Sequence, residues 1–451
     1  MIDVESILLQ QSQNLPRYTS YPPANHFVPL VGQGLENQFL AAARAADAIS
    51  VYIHIPYCDR LCWFCGCHTK HTLSYDPIAA YVTSLVKEIK LFGDKLAARK
   101  AISKIHLGGG SPSLLKECEF TKIRSALEGF GQIDQETEVS LEIDPTDIQS
   151  HGIDAMMAFG LTRASIGVQD FDPLVQAAIN RPQSFEVTQK VVQSLREAGV
   201  TSINIDALYG LPLQTPERFH ASVDKVLELS PDRIALFGYA HVPWLKPHQK
   251  LINDTDLPDQ AARLHSAVWA AGRIAKNGYQ VIGIDHFAKP QDRLATAARG
   301  GKLRRSFQGY TDDPCDVVVG LGPSSISQFA GGFLQNEVAT GRYVAAVAQG
   351  NLTGRRGLAV GSRDQVRGWI IERLMCDFAF SRAALFAKFG EDAAMHWQHA
   401  QTVSAEDAYG LSIVEGDIFR VKDGARPLVR QVAAQFDAWL RNTRFQYSKA
   451  V

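Results

Sequence analysis

The chain is short of several things, and each shortage removes a class of function. No stretch approaches the run of about 18 apolar residues needed to cross a bilayer. The first residues, MIDVESILLQQSQ, are acidic and polar and lack the apolar centre of a secretory signal, so a cytoplasmic protein is expected. Neither sign of charge is in excess. With 46 Lys and Arg against 47 Asp and Glu, the net charge is −1, which offers nucleic acid or a membrane surface no attraction. No internal repeat stands out. Cysteine is scarce outside one place. Of the 7 cysteines, Cys118, Cys315 and Cys376 are scattered and read as small buried residues.

The other cysteines sit together. Residues 52–68 read YIHIPYCDRLCWFCGCH, with Cys58, Cys62 and Cys65 at CxxxCxxC spacing and Cys67 two residues on. Zinc is the first competitor for such thiols, but no second CxxC pair follows at a zinc-ribbon distance, and His54 and His68 complete no familiar spacing. Disulfides are the second, yet a chain without a secretory signal belongs in a reducing compartment. The third is an iron–sulfur cluster, which close local spacing favours. Three ligands on one tight loop would leave one iron of a four-iron cluster open to a substrate or cofactor.

The remaining composition, 46% hydrophobic and 21% charged, is that of an ordinary globular protein, and 451 residues suffice for more than one domain. A short helix is expected at the start, then an extended arm at 17–22, RYTSYP, which packs on the main domain or reaches the active site. From residue 50, β-rich runs at 50–55, 102–107, 139–143, 163–168, 202–208 and 233–239 alternate with helical patterns. Tyr81, Val82, Leu85, Val86 and Ile89 mark one helix; Val191 and Leu195 mark another that stops at Gly199. This rhythm predicts parallel strands with crossover helices, an open (β/α)6 barrel, with further strands at 279–284 and 316–322. Its chemistry belongs at the carboxyl ends of the strands.

Candidate residues fall there. Gly108, Gly109 and Gly110 could bring backbone N–H groups to an anion. Glu142 and Asp144 share one side of a strand. Asp206 lies in an apolar strand and needs a partner, for which a ligand or Arg181 would serve. Arg304 and Arg305 could meet carboxylates. A polar, glycine-rich stretch near 345–362 suggests a boundary. Beyond it, Trp369, Ile370, Leu374 and Phe378 form a helical face, Glu415-Gly416-Asp417 a hairpin turn, and Leu428, Val432, Phe436 and Leu440 a last helix. Three parts are expected: an arm at 1–45, a catalytic domain at 46–350 and a mainly helical, winged-helix-like domain at 351–451. No basic stripe accompanies the hairpin, so DNA is not an expected partner.

CxxxCxxC after a strand resembles the signature of the radical S-adenosylmethionine (SAM) enzymes. CWFCGC, with Cys67, and RYTSYP resemble the family of oxygen-independent coproporphyrinogen III oxidases. The match continues in order through GGGSP, EIDP, GVQDF, Asn180-Arg181, NIDALYGLP, GIDHFA and FQGYT. Ser111 stands where that family commonly has threonine, and Pro323 where it has a small non-proline residue. The resemblance implies a partial (β/α)6 radical SAM barrel in which Cys58, Cys62 and Cys65 ligate a four-iron, four-sulfur (4Fe-4S) cluster. It implies SAM contacts from Tyr52, Phe64, Gly109, Gly110, Ser111, Glu142, Gln169, Arg181, Asp206, Ala240 and Ile326, with Tyr52, Glu142 and Asp206 closest to the chemistry. His286 is a substrate-pocket candidate; Cys67 receives no role. The implied reaction turns two propionates of coproporphyrinogen III into vinyl groups, with a porphyrinogen substrate, an outside electron donor and a monomeric chain. The alternatives are a haem-binding chaperone of the same superfamily, whose members usually lack RYTSYP and have phenylalanine at the place of Cys67, and a zinc-stabilised structural protein.

Overall fold

The computed structural model describes residue 7 and residues 15–96, 98–148 and 151–440. The short helix expected at the extreme N-terminus lies outside the described residues except for Ile7, which is helical.

Six parallel strands form the frame: β1 (Ala48–Ile55), β2 (Lys100–Gly109), β3 (Glu138–Ile143), β4 (Arg163–Gln169), β5 (Ser202–Tyr209) and β6 (Arg233–Gly238), neighbours in that order. Each matches a run read from sequence. On one edge, Val318–Leu321 adds a further strand parallel to β1, and four antiparallel strands follow it. On the other, His286–Ala288 pairs antiparallel with β6. The sheet therefore curls without closing, the open (β/α)6 arrangement expected.

The strands alternate, but with unusual polarity. Ile49, Val51, Ile53 and Ile55 of β1, Ile105 and Leu107 of β2, Val139 and Leu141 of β3, Ala164 and Ile166 of β4 and Ile203 and Ile205 of β5 belong to one buried cluster with Tyr81, Val82, Leu85 and Ile89 of the helix Asp76–Leu96. The intervening positions are polar, and side chains alternate along a strand. Ser50, Tyr52 and His54 of β1, Lys104 and His106 of β2, Ser140 and Glu142 of β3, Ser165 of β4 and Asn204 and Asp206 of β5 thus face inward. Parallel barrels usually fill their centre with branched apolar side chains. Here the apolar core lies between sheet and helices, and the interior is polar.

Local signals set the helices. Asp172, Ser184, Thr215 and Asp259 each accept a backbone N–H at a helix start. Gly199, at φ +96°, ends Phe185–Glu197 while Val200 N donates to Leu195 O at 3.0 Å.

The glycine-rich stretch read as a break holds a strand, Gly354–Ala359, bonded into the large sheet beyond the boundary expected at 350/351. Its glycines serve close approach: a Cβ on Gly357 would lie 2.5 Å from Phe333 O. Likewise Phe39, Leu40 and Ala43, within the stretch expected as an arm, pack in the barrel core. After residue 360, helices Ser362–Asp377, Arg382–Phe389 and Ala393–Ala405 carry a three-stranded antiparallel sheet, Ala379–Ser381, Ile418–Val421 and Ser412–Glu415, around a second core. The last helix ends sooner than its spacing predicts, at Val429–Ala434, and beyond it Asp437 Oδ1 accepts from Trp439 N (2.8 Å) and Leu440 N (3.1 Å) in a turn. Tyr18 and Tyr21 of the arm are buried in this second core. Among the described residues no helix is long and apolar enough to cross a membrane.

One polar knot locks the open edge. Glu88 is buried and accepts hydrogen bonds from Gly322 N (2.7 Å), Asn336 Nδ2 (2.9 Å), Tyr343 Oη (2.7 Å) and Thr353 Oγ1 (2.6 Å). Glu88→Ala would strand three donors, Gly322 N, Tyr343 Oη and Thr353 Oγ1, and denaturant unfolding should show a loss of about 3 kcal/mol or more.

Candidate active site

The cysteine loop leaves β1 at Pro56 and is stapled at its base. Tyr57-Cys58 pairs with Lys70-His71, and Thr72 N donates to Cys58 O at 3.0 Å. Cys58, Cys62 and Cys65 are free and half-buried, and Cys65 N donates to Cys62 O at 3.2 Å. Burial and mutual proximity push the Cys58 thiol up. At Cys62 burial is opposed by Arg181, whose Nη1 lies 3.4 Å from the sulfur. Cys67 N donates to Cys65 Sγ at 3.4 Å. Among the described residues no three His, Cys, Asp or Glu side chains converge as one metal ion requires. Three thiols on one loop at close spacing suit a cluster, whose ligands bind separate irons.

A segment that sequence reasoning passed over grips this loop. Gln249 Nε2 donates to Phe64 O (2.9 Å) and lies 3.3 Å from Ala240 O. His248 Nε2 bonds Cys65 O (2.7 Å), and Lys246 Nζ donates to Cys67 O (3.0 Å). From the other side Asn180 Nδ2 donates to Leu61 O at 2.9 Å. Phe64 packs among Val175, Ile179, Leu208 and Leu211. No sequence motif marks 246–249; its role is to satisfy main-chain carbonyls, which any donor of the right length can do.

The register of the sheet brings the inward residues into a row. Tyr52 pairs with His106, His106 with Ser140, Glu142 with Ser165, Ser165 with Asn204, and Asp206 with Ala235, which pairs with His286. Tyr52 stacks on His106, with ring centroids 5.7 Å apart, and its hydroxyl meets His54 Nδ1 at 3.0 Å. His106 bonds Ser140 Oγ (2.6 Å) and Glu142 Oε1 (3.3 Å), and Glu142 Oε2 accepts from Gly109 N at 2.9 Å. Against the desolvation of the interior, these bonds hold the Glu142 carboxyl below the usual range. Desolvation and the Glu142 charge push Asp206 the other way. Two carboxyls in one chamber thus differ, one a firm anion and one reluctant to ionise.

Some expectations about partners do not hold. Arg181 does not serve Asp206. Its Nη1 pairs with Asp144 at 3.0 Å and its Nη2 donates to Gly167 O at 2.7 Å. Asp206 is satisfied locally by Asn204 Nδ2 (2.8 Å) and Ser165 Oγ (3.2 Å). The glycine loop is not an open anion nest. Gly110 N is taken by Ile55 O and Ser111 N by Tyr57 O, both at 2.7 Å, leaving only Gly109 N on a carboxylate. The glycines are needed because the two chains touch: a Cβ on Gly109, at φ +106°, would lie 2.3 Å from the His54 ring, and one on Gly110 2.5 Å from Tyr57 O. Ser111 Oγ bonds Asp147, which the motif reading had overlooked, and Ser113 Oγ donates to Asp147 at 2.6 Å.

Gln169 is held at φ +69° just after a register shift, which re-aims it at the end of β4. Ala240 follows β6, and Ile326 is half-buried on the strand next to Val318–Leu321. The paired arginines part company. Arg304 turns to Asp316 (3.0 Å) and Glu372 (3.8 Å), while Arg305 reaches inward to Tyr18 O (3.2 Å) and Arg17 O (3.1 Å). His286 is buried between Phe237 and Tyr310 and bonds Asp285 at 2.7 Å.

Among the described residues, the buried atoms without a hydrogen-bond partner include Arg181 Nε and Asn204 Oδ1 in this chamber. A donor by the cysteine loop and an acceptor by Asp206 suit a small ligand that carries a carboxylate and hydroxyls or an ammonium, as SAM does.

These features define the class. Residues 52–226 match the radical SAM superfamily. Over nearly its whole length the chain is similar to enzymes of one kind. It is 43% identical to the oxygen-independent coproporphyrinogen III oxidase of Cereibacter sphaeroides, across 99% of each chain. It is 44% identical to that of Paracoccus denitrificans, across 94% of each. The structure of coproporphyrinogen III oxidase from Escherichia coli, described as a radical SAM enzyme, superposes with a TM-score of 0.90 at 34% identity, covering 97% of this chain and 99% of that one. The chain belongs to the oxygen-independent coproporphyrinogen III oxidase family.

The buried Asp147 gives a pH test. Desolvation, then Asp144, raises its carboxyl to about 7. Between about pH 4, the unfolded value, and pH 7 the folded chain holds a proton that the unfolded chain releases. Stability of the metal-free chain should therefore fall as pH rises through that window. Asp147→Asn should flatten the fall, as measured by urea unfolding at each pH.

Proposed function

We propose that this chain converts two propionate side chains of coproporphyrinogen III to vinyl groups without oxygen, giving protoporphyrinogen IX. The observation that carries the reading is the placement of three thiols on one stapled loop, at the carboxyl ends of parallel strands, facing a polar chamber. Cys58, Cys62 and Cys65 would hold a 4Fe-4S cluster with one iron free for SAM. Given an electron from an outside donor, cluster and SAM together supply a carbon radical strong enough to take a hydrogen atom from a propionate β-carbon, after which CO₂ and one electron leave.

The chain's own residues bind and orient. Arg181 neutralises the thiolate side of the chamber and offers Nε to a carboxylate. Glu142, anchored by His106 and Gly109, accepts hydrogen bonds from an ammonium or a hydroxyl. Asp206 and Asn204 offer acceptors to ribose hydroxyls. Tyr52 floors the chamber on His106, with Phe64, Gly109, Gly110, Ser111, Gln169, Ala240 and Ile326 completing the SAM surround. Seven free cysteines suit a reducing compartment, the cytoplasm.

Anaerobic incubation of the reconstituted chain with coproporphyrinogen III, SAM and a reductant should yield 5′-deoxyadenosine and products that have lost CO₂ and two hydrogens once and then twice. Deoxyadenosine without vinyl products would refute the substrate. Cys62→Ser should abolish both the four-iron spectrum and SAM cleavage; retention of either would refute the ligand assignment.

A further inference from the structure

Where the arm, the hairpin around Arg305 and the C-terminal helix meet the ends of β5 and β6 lies a cavity of 220 Å³. Its lining includes apolar Phe237, Leu264, Val268 and Phe287. It also includes Arg17, Arg263, Arg305, Arg426 and Arg430 with a single acid, Asp285. Five cations around one carboxylate are an unbalanced set, and they come from four separate parts of the chain. Several are already placed. Arg17 Nη2 donates to Gly238 O (2.8 Å), Arg263 Nη2 to Tyr239 O (2.8 Å), and Arg426 pairs with Asp423 at 2.8 Å. Arg305 lies 4.4 Å over the Tyr310 ring and 4.0 Å from Asp285.

Arg430 differs. Its side chain is buried, 8% exposed, and its Nη2 has no hydrogen-bond partner. Burial and the nearby Arg17 and Arg305 charges push its guanidinium down, to about 10. A buried, unpaired guanidinium among like charges is costly unless an anion joins it.

Resting on the substrate reading above, we propose that this cavity anchors the propionates that the reaction leaves in place. Arg430, with Arg17, Arg263 and Arg305, receives their carboxylates, and the apolar lining takes the pyrrole edge that bears them. Two considerations select these carboxylates over the reacting ones. A reacting carboxyl must leave as neutral CO₂, so guanidinium pairing would hold back the step by favouring the anion. The non-reacting carboxylates are present in substrate, mono-vinyl intermediate and product alike, so the same grip serves both oxidations. The cavity admits one edge of a tetrapyrrole and not the macrocycle, which leaves the reacting edge outside it.

The test uses the full chain, reconstituted without oxygen, and two stable probes: coproporphyrin III and its uncharged tetramethyl ester. Arg430→Met should weaken binding of the tetra-acid about 10-fold or more and leave the ester unchanged. Arg430→Lys should recover part of the loss. In turnover, Arg430→Met should raise KM more than it lowers kcat and increase the fraction released as mono-vinyl product. Arg17→Gln should act in the same direction. Iron content and melting temperature, compared with the native chain, establish that each variant folds. Unchanged tetra-acid affinity in folded Arg430→Met, or equal losses for acid and ester, would overturn the proposal. The two readings fail separately. A native chain that binds the tetra-acid through Arg430 but forms no vinyl product would overturn the reaction and support the anchoring site.

Discussion

A polar interior in a parallel barrel is possible only if nearly every inward atom finds a partner. That constraint shapes the whole chain. Tyr52, His106, Ser140 and Glu142 satisfy one another across three strands, and Asn204, Ser165 and Asp206 do so across two. Because the partners sit on different strands, the register of the sheet is itself a determinant of the site. A slip of one residue would turn the polar row onto the helices and the isoleucines inward. Arg181 Nε and Asn204 Oδ1 are among the buried atoms left unpaired in the described residues.

The cysteine loop depends on the same economy of hydrogen bonds. It has little regular structure, and its carbonyls would be exposed without help. Lys246, His248 and Gln249 from one side and Asn180 from the other take four of them. The thiols are therefore held before any metal arrives, with Arg181 tying the loop to Asp144 and to β4. Substrate-facing parts are built differently. Charged groups there come from the arm, the helix Gln260–Lys276, the hairpin around Arg305 and the C-terminal helix.

Much of this was legible in the chain. The six strands and the crossover helices follow from apolar periodicity, and the site residues lie in short motifs because each strand end contributes one or two side chains. The alternation in VYIHIP, KIHLGG, VSLEID and SINIDAL also announced the polar interior, although apolar content alone called attention to the strands. What could not be read were pairings between distant segments. Arg181 prefers Asp144 over Asp206 because a bulge and a local Asn204 bond settle Asp206 first. Gly110 and Ser111 spend their N–H groups on β1's continuation, a contact that depends on how the loop folds back. The glycine-rich 354–359 reads as a linker by composition, yet its small residues let an edge strand approach.

The burial of Tyr18 and Tyr21 against the C-terminal core bears on how the protein is made. Tyr18 bonds Asp437, 419 positions later. At ribosomal speeds of roughly 5–20 residues per second, the arm waits on the order of tens of seconds for its partner to be synthesised. Throughout that interval Tyr18 and Tyr21 lack the C-terminal core that buries them. The arm can therefore dock only after every residue that grips the cysteine loop has been synthesised.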